Sequence, residues 1–135
     1  MKRTLLVALT LVLAATFAAS AFAGGNPNAG AATFNKEVVE ANLIAGVQSA
    51  NFGLRTSAAM MLGDIKSTNA VFSLMHMLRT ETDERARIVA ALALTKIGDP
   101  VGLYAVKQTA RLDSNERLRK LCGLFYQVSQ ASIEG

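Results

Sequence analysis

The side chains best suited to chemistry stand close together: Met75, His76 and Met77 are consecutive, with Met60 and Met61 a short way upstream. Thioether and imidazole are soft ligands suited to Cu(I). Consecutive helical residues point about 100° apart, because a turn takes 3.6 residues, so positions 75 to 77 cannot converge on one ion. Methionine also fills irregular gaps between packed helices, and packing is the preferred reading. His76 is the only histidine, with no Asp or Ser spaced to form a relay with a nucleophile. The only cysteine, Cys122, cannot make an intramolecular disulfide. It suits a small core side chain, with a bond to a second chain as the alternative. These residues offer no catalytic constellation, cofactor site or metal site, so the chain reads as a non-enzyme.

The first residues concern the address of the chain. Lys2 and Arg3 precede an uncharged apolar run that ends in Ala21-Phe22-Ala23, the three parts of a secretory signal peptide with cleavage after Ala23. The stretch from Thr4 to Ala23 is also long enough to span a bilayer, but its Ala/Ser-rich end suits a peptidase better than a membrane core. A periplasmic or secreted bacterial protein is expected, with no membrane span after cleavage. Without residues 1–23 the chain keeps 12 basic and 10 acidic side chains, a net charge of +2, which argues against nucleic acid as a partner. Residues 24–34, GGNPNAGAATF, carry no charge and no helical period, and read as a flexible leader before one domain over 35–135.

That domain repeats itself. Leu54–Arg85 laid over Ala86–Arg117 without gaps gives eight identities in 32 positions, among them Arg55 with Arg87, Ala58 with Ala90, Ala59 with Ala91, Leu62 with Leu94 and Ile65 with Ile97. The same step carries Asn51 to Asp83 to Asn115, residue types that cap helix starts, and Arg87 to Arg119. A period of this length signals stacked helix pairs. Apolar spacing and caps predict helices at about 36–48, 52–65, 68–79, 84–97, 100–111 and 116–129. Gly98 stops one of them, and Asp99-Pro100 starts the next. The stretch from Arg85 to Asp99 is apolar nearly all round, which requires burial on more than one side. The expected fold is all-α, a short right-handed α-solenoid.

Arg87-x-x-Ala90-Ala91-x-Ala93-Leu94-x-x-Ile97-Gly98-Asp99 resembles the signature of short bacterial HEAT-like repeats, the kind also seen in phycobilisome lyases. The likeness covers residues 50–129. Lys66-Ser67 replaces Gly-Asp in the first copy, and Cys122-Gly123 stands where alanines are expected in the third. The resemblance implies a scaffold that binds a protein or peptide partner, not lyase chemistry in an exported chain. The second helices of such pairs line a concave groove, here Ala41, Ile44, Ser73, His76, Met77, Thr80, Ala105, Gln108 and Leu112. Arg55, Arg87 and Arg119 form a ladder expected to tie repeats together through turn carboxylates and carbonyls. The final helix, read as a half repeat without a second helix, bears Leu118, Leu121, Leu124, Phe125, Tyr126 and Val128 on two sides. That predicts a terminal interface, either a homodimer or the dock of a larger partner. The alternative function is an accessory or Cu(I)-handling partner of an envelope enzyme.

Overall fold

Residues 35–134 are described by a computed structural model, so the expected signal peptide and leader lie outside the described residues. Helices α1 (Lys36–Val47), α2 (Phe52–Asp64), α3 (Val71–Thr80), α4 (Glu84–Ile97), α5 (Pro100–Leu112) and α6 (Glu116–Glu134) account for almost all of them. None of the described helices is long and apolar enough to cross a membrane.

Short polar side chains start every helix. Asn35 Oδ1 accepts from the Glu37 amide at 3.0 Å, Asn51 from Leu54 at 3.0 Å, Asp83 from Arg85 at 2.8 Å, Asp99 from Val101 at 2.8 Å and Asn115 from Leu118 at 2.9 Å. Each satisfies an amide that has no intrahelical partner. Ser67 does the same for Ala70, but what it opens is a 3-10 turn, Thr68–Ala70, which leads into α3. The expected helix over 68–79 is thus displaced by one turn. The equivalent place in the next repeat has Pro100, whose fixed φ suits the first α-helical position, and Thr68 has no such restraint. At the other end, α6 runs on to Glu134 rather than stopping near 129, because no glycine or proline intervenes before Gly135.

The helices form two layers. In one, α2 packs closely on α4 and α4 on α6; in the other, α1, α3 and α5 touch each other only lightly. Across the layers the closest partners are α1 with α2, α3 with α4, and α5 with α6. This corrects the expected pairing. The final helix is not a half repeat, because α5 serves as its companion, and the described chain makes three complete antiparallel hairpins.

Helix α4 touches α2, α3, α5 and α6, which explains its composition: Ala86, Ala90, Ala91, Ala93 and Leu94 are all buried. Small side chains set the spacing. A Cβ added to Gly63 of α2 would lie 2.8 Å from Ala93 Cα, so those two backbones are in direct contact. Around this helix sit Leu62, Leu74, Leu78, Val106, Leu118 and Cys122, all fully buried.

Ile65, expected on the apolar face, is instead the C-terminal cap of α2 and is 37% exposed. The next residue shows why that turn differs from its repeat counterpart. Gly98 ends α4 with φ of 76°, and Lys66, one repeat earlier, takes φ of 53°. Glycine adopts that left-handed conformation freely, whereas a lysine Cβ crowds the following carbonyl. Lys66→Gly should therefore stabilise the chain by roughly 0.5–1 kcal/mol, a rise of a few degrees in Tm, and Gly98→Ala should lower it comparably. Thermal melts followed by circular dichroism check both signs.

Candidate functional site

The arginine ladder has a repeating geometry. Arg55 Nη1 donates to the carbonyls of Ser49 (2.8 Å) and Ala50 (3.1 Å), just beyond the end of α1, and its Nη2 donates to Glu81 at 3.2 Å. Arg87 Nε donates to the Leu78 carbonyl of α3 at 2.7 Å, and its two terminal nitrogens meet both oxygens of Asp113. In each case the carboxylate lies 26 residues downstream. Arg119 Nη1 donates to the carbonyls of Asp113 (2.6 Å) and Ser114 (3.2 Å), as Arg55 does to its own turn. A helix end leaves carbonyls without intrahelical donors; each arginine supplies donors there, and Arg55 and Arg87 neutralise a turn carboxylate as well. All three are occupied inside the fold. They do not present a charged row to a ligand.

Burial raises the pKa of the Asp113 carboxyl, but hydrogen bonds from Arg87 and the Asn115 amide, with the charges of Arg87 and Arg119, outweigh it and hold the carboxyl below its usual range. Asp83, bonded by the Arg85 side chain and amide, is lowered to about 2. Glu40 is lowered through hydrogen bonds from Ser67 and Asn69, which tie α1 to the turn before α3.

A cleft of about 670 Å³ opens between α1 and α3, where the looser layer leaves room. Of the residues expected to line a groove, it brings together Ser73, His76, Met77 and Thr80. Val47, Gln48, Ser49, Phe72 and the Arg55–Glu81 pair complete its walls. Met77 is only 3% exposed, so it is a core residue that forms the floor rather than a contact offered to a partner. Its place on the α3 helix turns it toward the core, beside Leu74 and Leu78. Ile44 is half-buried against the core and is not part of the cleft. Gln108 and Leu112 lie on α5, beyond α3, also outside it.

The methionines and histidine do not assemble. Met77 is buried, Met75 packs partly against the core, and His76 faces solvent with Nδ1 3.3 Å from Thr80 Oγ1. Among the described residues no three His, Cys, Asp or Glu side chains gather as metal ligands do. Cys122 is fully buried, and that burial, aided by the nearby Asp113 charge, pushes its thiol up to about 11.

The terminal surface also differs from expectation. Leu118 is fully buried, because α6 is clasped by both α4 and α5. Leu121, Phe125 and Tyr126 are half-buried, the Tyr126 ring lying 5.3 Å from Lys107 Nζ. Leu124 is exposed, and Val128 borders a shallower hollow of about 450 Å³ between α4 and α6. Helical geometry turns Glu116, Lys120, Gly123 and Gln127 away from the neighbouring helices. Glu116 and Lys120 pair there at 2.7 Å, and a Cβ on Gly123 would meet nothing within 4 Å. Beside this polar strip the same helix leaves Leu124, Val128 and Ile133 exposed.

Two layers of helices, a repeated latch of arginine on turn carboxylate and an open cleft define an α-helical repeat protein, a short α-solenoid. A profile of HEAT repeats matches residues 40–123, and the chain belongs to that family. Repeats of this family mediate protein–protein interaction and scaffolding and are typically non-enzymatic. No curated protein matches the chain.

Sequence reasoning missed Phe72 and Gln48 as cleft walls. The 32-residue step pairs Phe72 with Tyr104, a signal that was available.

The Arg87–Asp113 pair is largely shielded from water, and removing one partner of such a pair costs about 3–5 kcal/mol. Urea unfolding of Arg87→Ala should approach that loss, whereas exposed Arg85→Ala should lose about 1 kcal/mol or less. Because the folded Asp113 pKa is depressed, its contribution is complete above the unfolded value of about 3.9 and fades as pH falls through the lower folded value. The stability difference between wild type and Asp113→Asn, measured from pH 2 to 7, should be constant above about pH 5 and shrink below 4.

Proposed function

We propose that the chain is an exported, non-enzymatic scaffold that holds a peptide or protein segment in the cleft between α1 and α3. The cleft itself carries this reading. Its walls mix the apolar Phe72 and Val47 with Ser73, His76, Thr80 and Gln48, a composition that suits a polypeptide with its own polar backbone. Among the described residues Ser73, His76 and Thr80 make no tertiary side-chain hydrogen bond; the side chain of Thr80 bonds to His76, within its own helix. The surface of α6 is a second candidate, since Leu124, Val128 and Ile133 are exposed there beside the Glu116–Lys120 pair.

Export rests on Lys2, Arg3, the apolar run after them and Ala21-Phe22-Ala23. The first residue of the protein recovered from a bacterial envelope fraction should be Gly24, as read by mass spectrometry of the intact chain. A product that keeps Met1 and stays with the membrane overturns export of a free protein.

For the cleft, Ser73→Trp fills the space while leaving the core intact. Met77 is unsuitable for this purpose, because a polar residue there unfolds the protein. Immobilised wild type should retain a partner from an envelope extract that Ser73→Trp retains at least about tenfold less, a loss of roughly 1.4 kcal/mol. Equal recovery by two equally folded proteins removes the cleft from consideration.

A further inference from the structure

The outward faces of α3 and α5 carry the same three-residue stripe. On α3 it is Phe72, His76 and Arg79; on α5, Tyr104, Gln108 and Arg111, each residue one repeat beyond its counterpart. The spacing i, i+4, i+7 puts each set on one face of its helix. Phe72 is 74% exposed and Tyr104 61%. Both arginines lie in the last turn of their helices and are exposed, where a cation also favours the helix end. That use does not account for a large aromatic ring left in water seven residues earlier, twice.

Among the described residues neither Arg79 nor Arg111 makes an ion pair. The six ion pairs of the described residues engage Glu81, Asp83, Asp113, Asp64, Glu84 and Glu116, none with Arg79 or Arg111. Asp99 caps α5, and Glu40 is held by Ser67 and Asn69. Residues 1–34 contain no acid at all, so they hold no carboxylate that could reach the two arginines. Helix α1 does not continue the stripe, since Glu40, Ile44 and Val47 occupy the equivalent positions.

We propose that the segment bound on the α1/α3/α5 face is acidic, its carboxylates pairing with Arg79 and Arg111 while apolar side chains lie on Phe72 and Tyr104. The inference rests on the reading of this face as the binding surface. Packed helices lie roughly 8–10 Å apart and the lightly touching α3 and α5 at least that far, while an extended chain advances about 3.3 Å per residue, so the paired carboxylates fall three or more residues apart along the segment.

The test uses two fluorescent peptides, four repeats of Glu-Phe-Ser and the same peptide with Gln for every Glu, titrated with the purified full chain and read by anisotropy. The acidic peptide should bind about tenfold or more tightly than the Gln peptide, more weakly as salt rises, and the Arg79→Gln/Arg111→Gln double variant should remove that preference. Phe72→Ser/Tyr104→Ser should weaken both peptides, and far-ultraviolet circular dichroism confirms that these surface variants fold. Equal binding of the two peptides, an unchanged arginine double variant, or binding of neither peptide overturns the proposal. So does heparin binding that outcompetes the acidic peptide and ignores Phe72 and Tyr104, which assigns the arginines to an anionic polymer. The wider cleft reading fails separately, only if Ser73→Trp leaves partner recovery from the extract unchanged.

Discussion

The contact of α4 with four other helices is the constraint on which the rest of the fold depends. A helix so enclosed cannot carry large side chains on every face, and Ala86, Ala90, Ala91 and Ala93 meet that limit. The approach of Gly63 to Ala93 brings α2 within backbone contact of α4. Dense packing of this kind leaves no room for an added methyl group. The other layer is spaced by Val71, Leu74, Leu78 and Val106. Its axes stand further apart at the surface, and the opening between α1 and α3 is the result. The accessible side of the protein is thus a by-product of how tightly the alanine side closes.

Close packing alone does not fix how each hairpin sits against its neighbour. The arginines do. Arg55 and Arg87 each gather carbonyls at the end of one helix and a carboxylate from the turn of the following repeat, a directional contact that nonpolar surfaces cannot provide. Planar, forked donors suit this task better than a lysine would. The side chains are shielded enough for the pairing to matter energetically, yet they lie at the edge of the turns, where some contact with water limits the cost of burying charge. Structural use of these arginines leaves Arg79 and Arg111, the other basic pair in the repeat, facing water.

Features that depend on local residue type were legible in the sequence: the caps at Asn35, Asn51, Asp83, Asp99 and Asn115, the stop at Gly98, and the burial of the Arg85–Asp99 helix. Other features depend on which helix of a neighbouring repeat lies nearer, and self-comparison carries no such distance. The contact of the final helix with Ala105–Arg111 was legible, but its standing as a complete hairpin with α5, and the place of Leu118 in the core, followed only from the packing. Met77 was misplaced for a related reason: one helical position separates a groove floor from a groove wall, and the periodic pattern does not resolve that step. The left-handed turn at Lys66 was not legible, because residue type alone favours glycine or asparagine there.

The 26-residue reach of the latch bears on how such a chain can lengthen. Each 32-residue segment carries an arginine for the turn ahead and a carboxylate for the arginine behind, so a tandem duplication of one segment joins its neighbours with every charge matched. An insertion of any other length would separate a guanidinium from its carboxylate and leave both partly shielded from solvent. Gene duplication in whole modules is thus the path of least resistance, and Arg119, bonded to its own turn carbonyls, repeats the donor half of that latch.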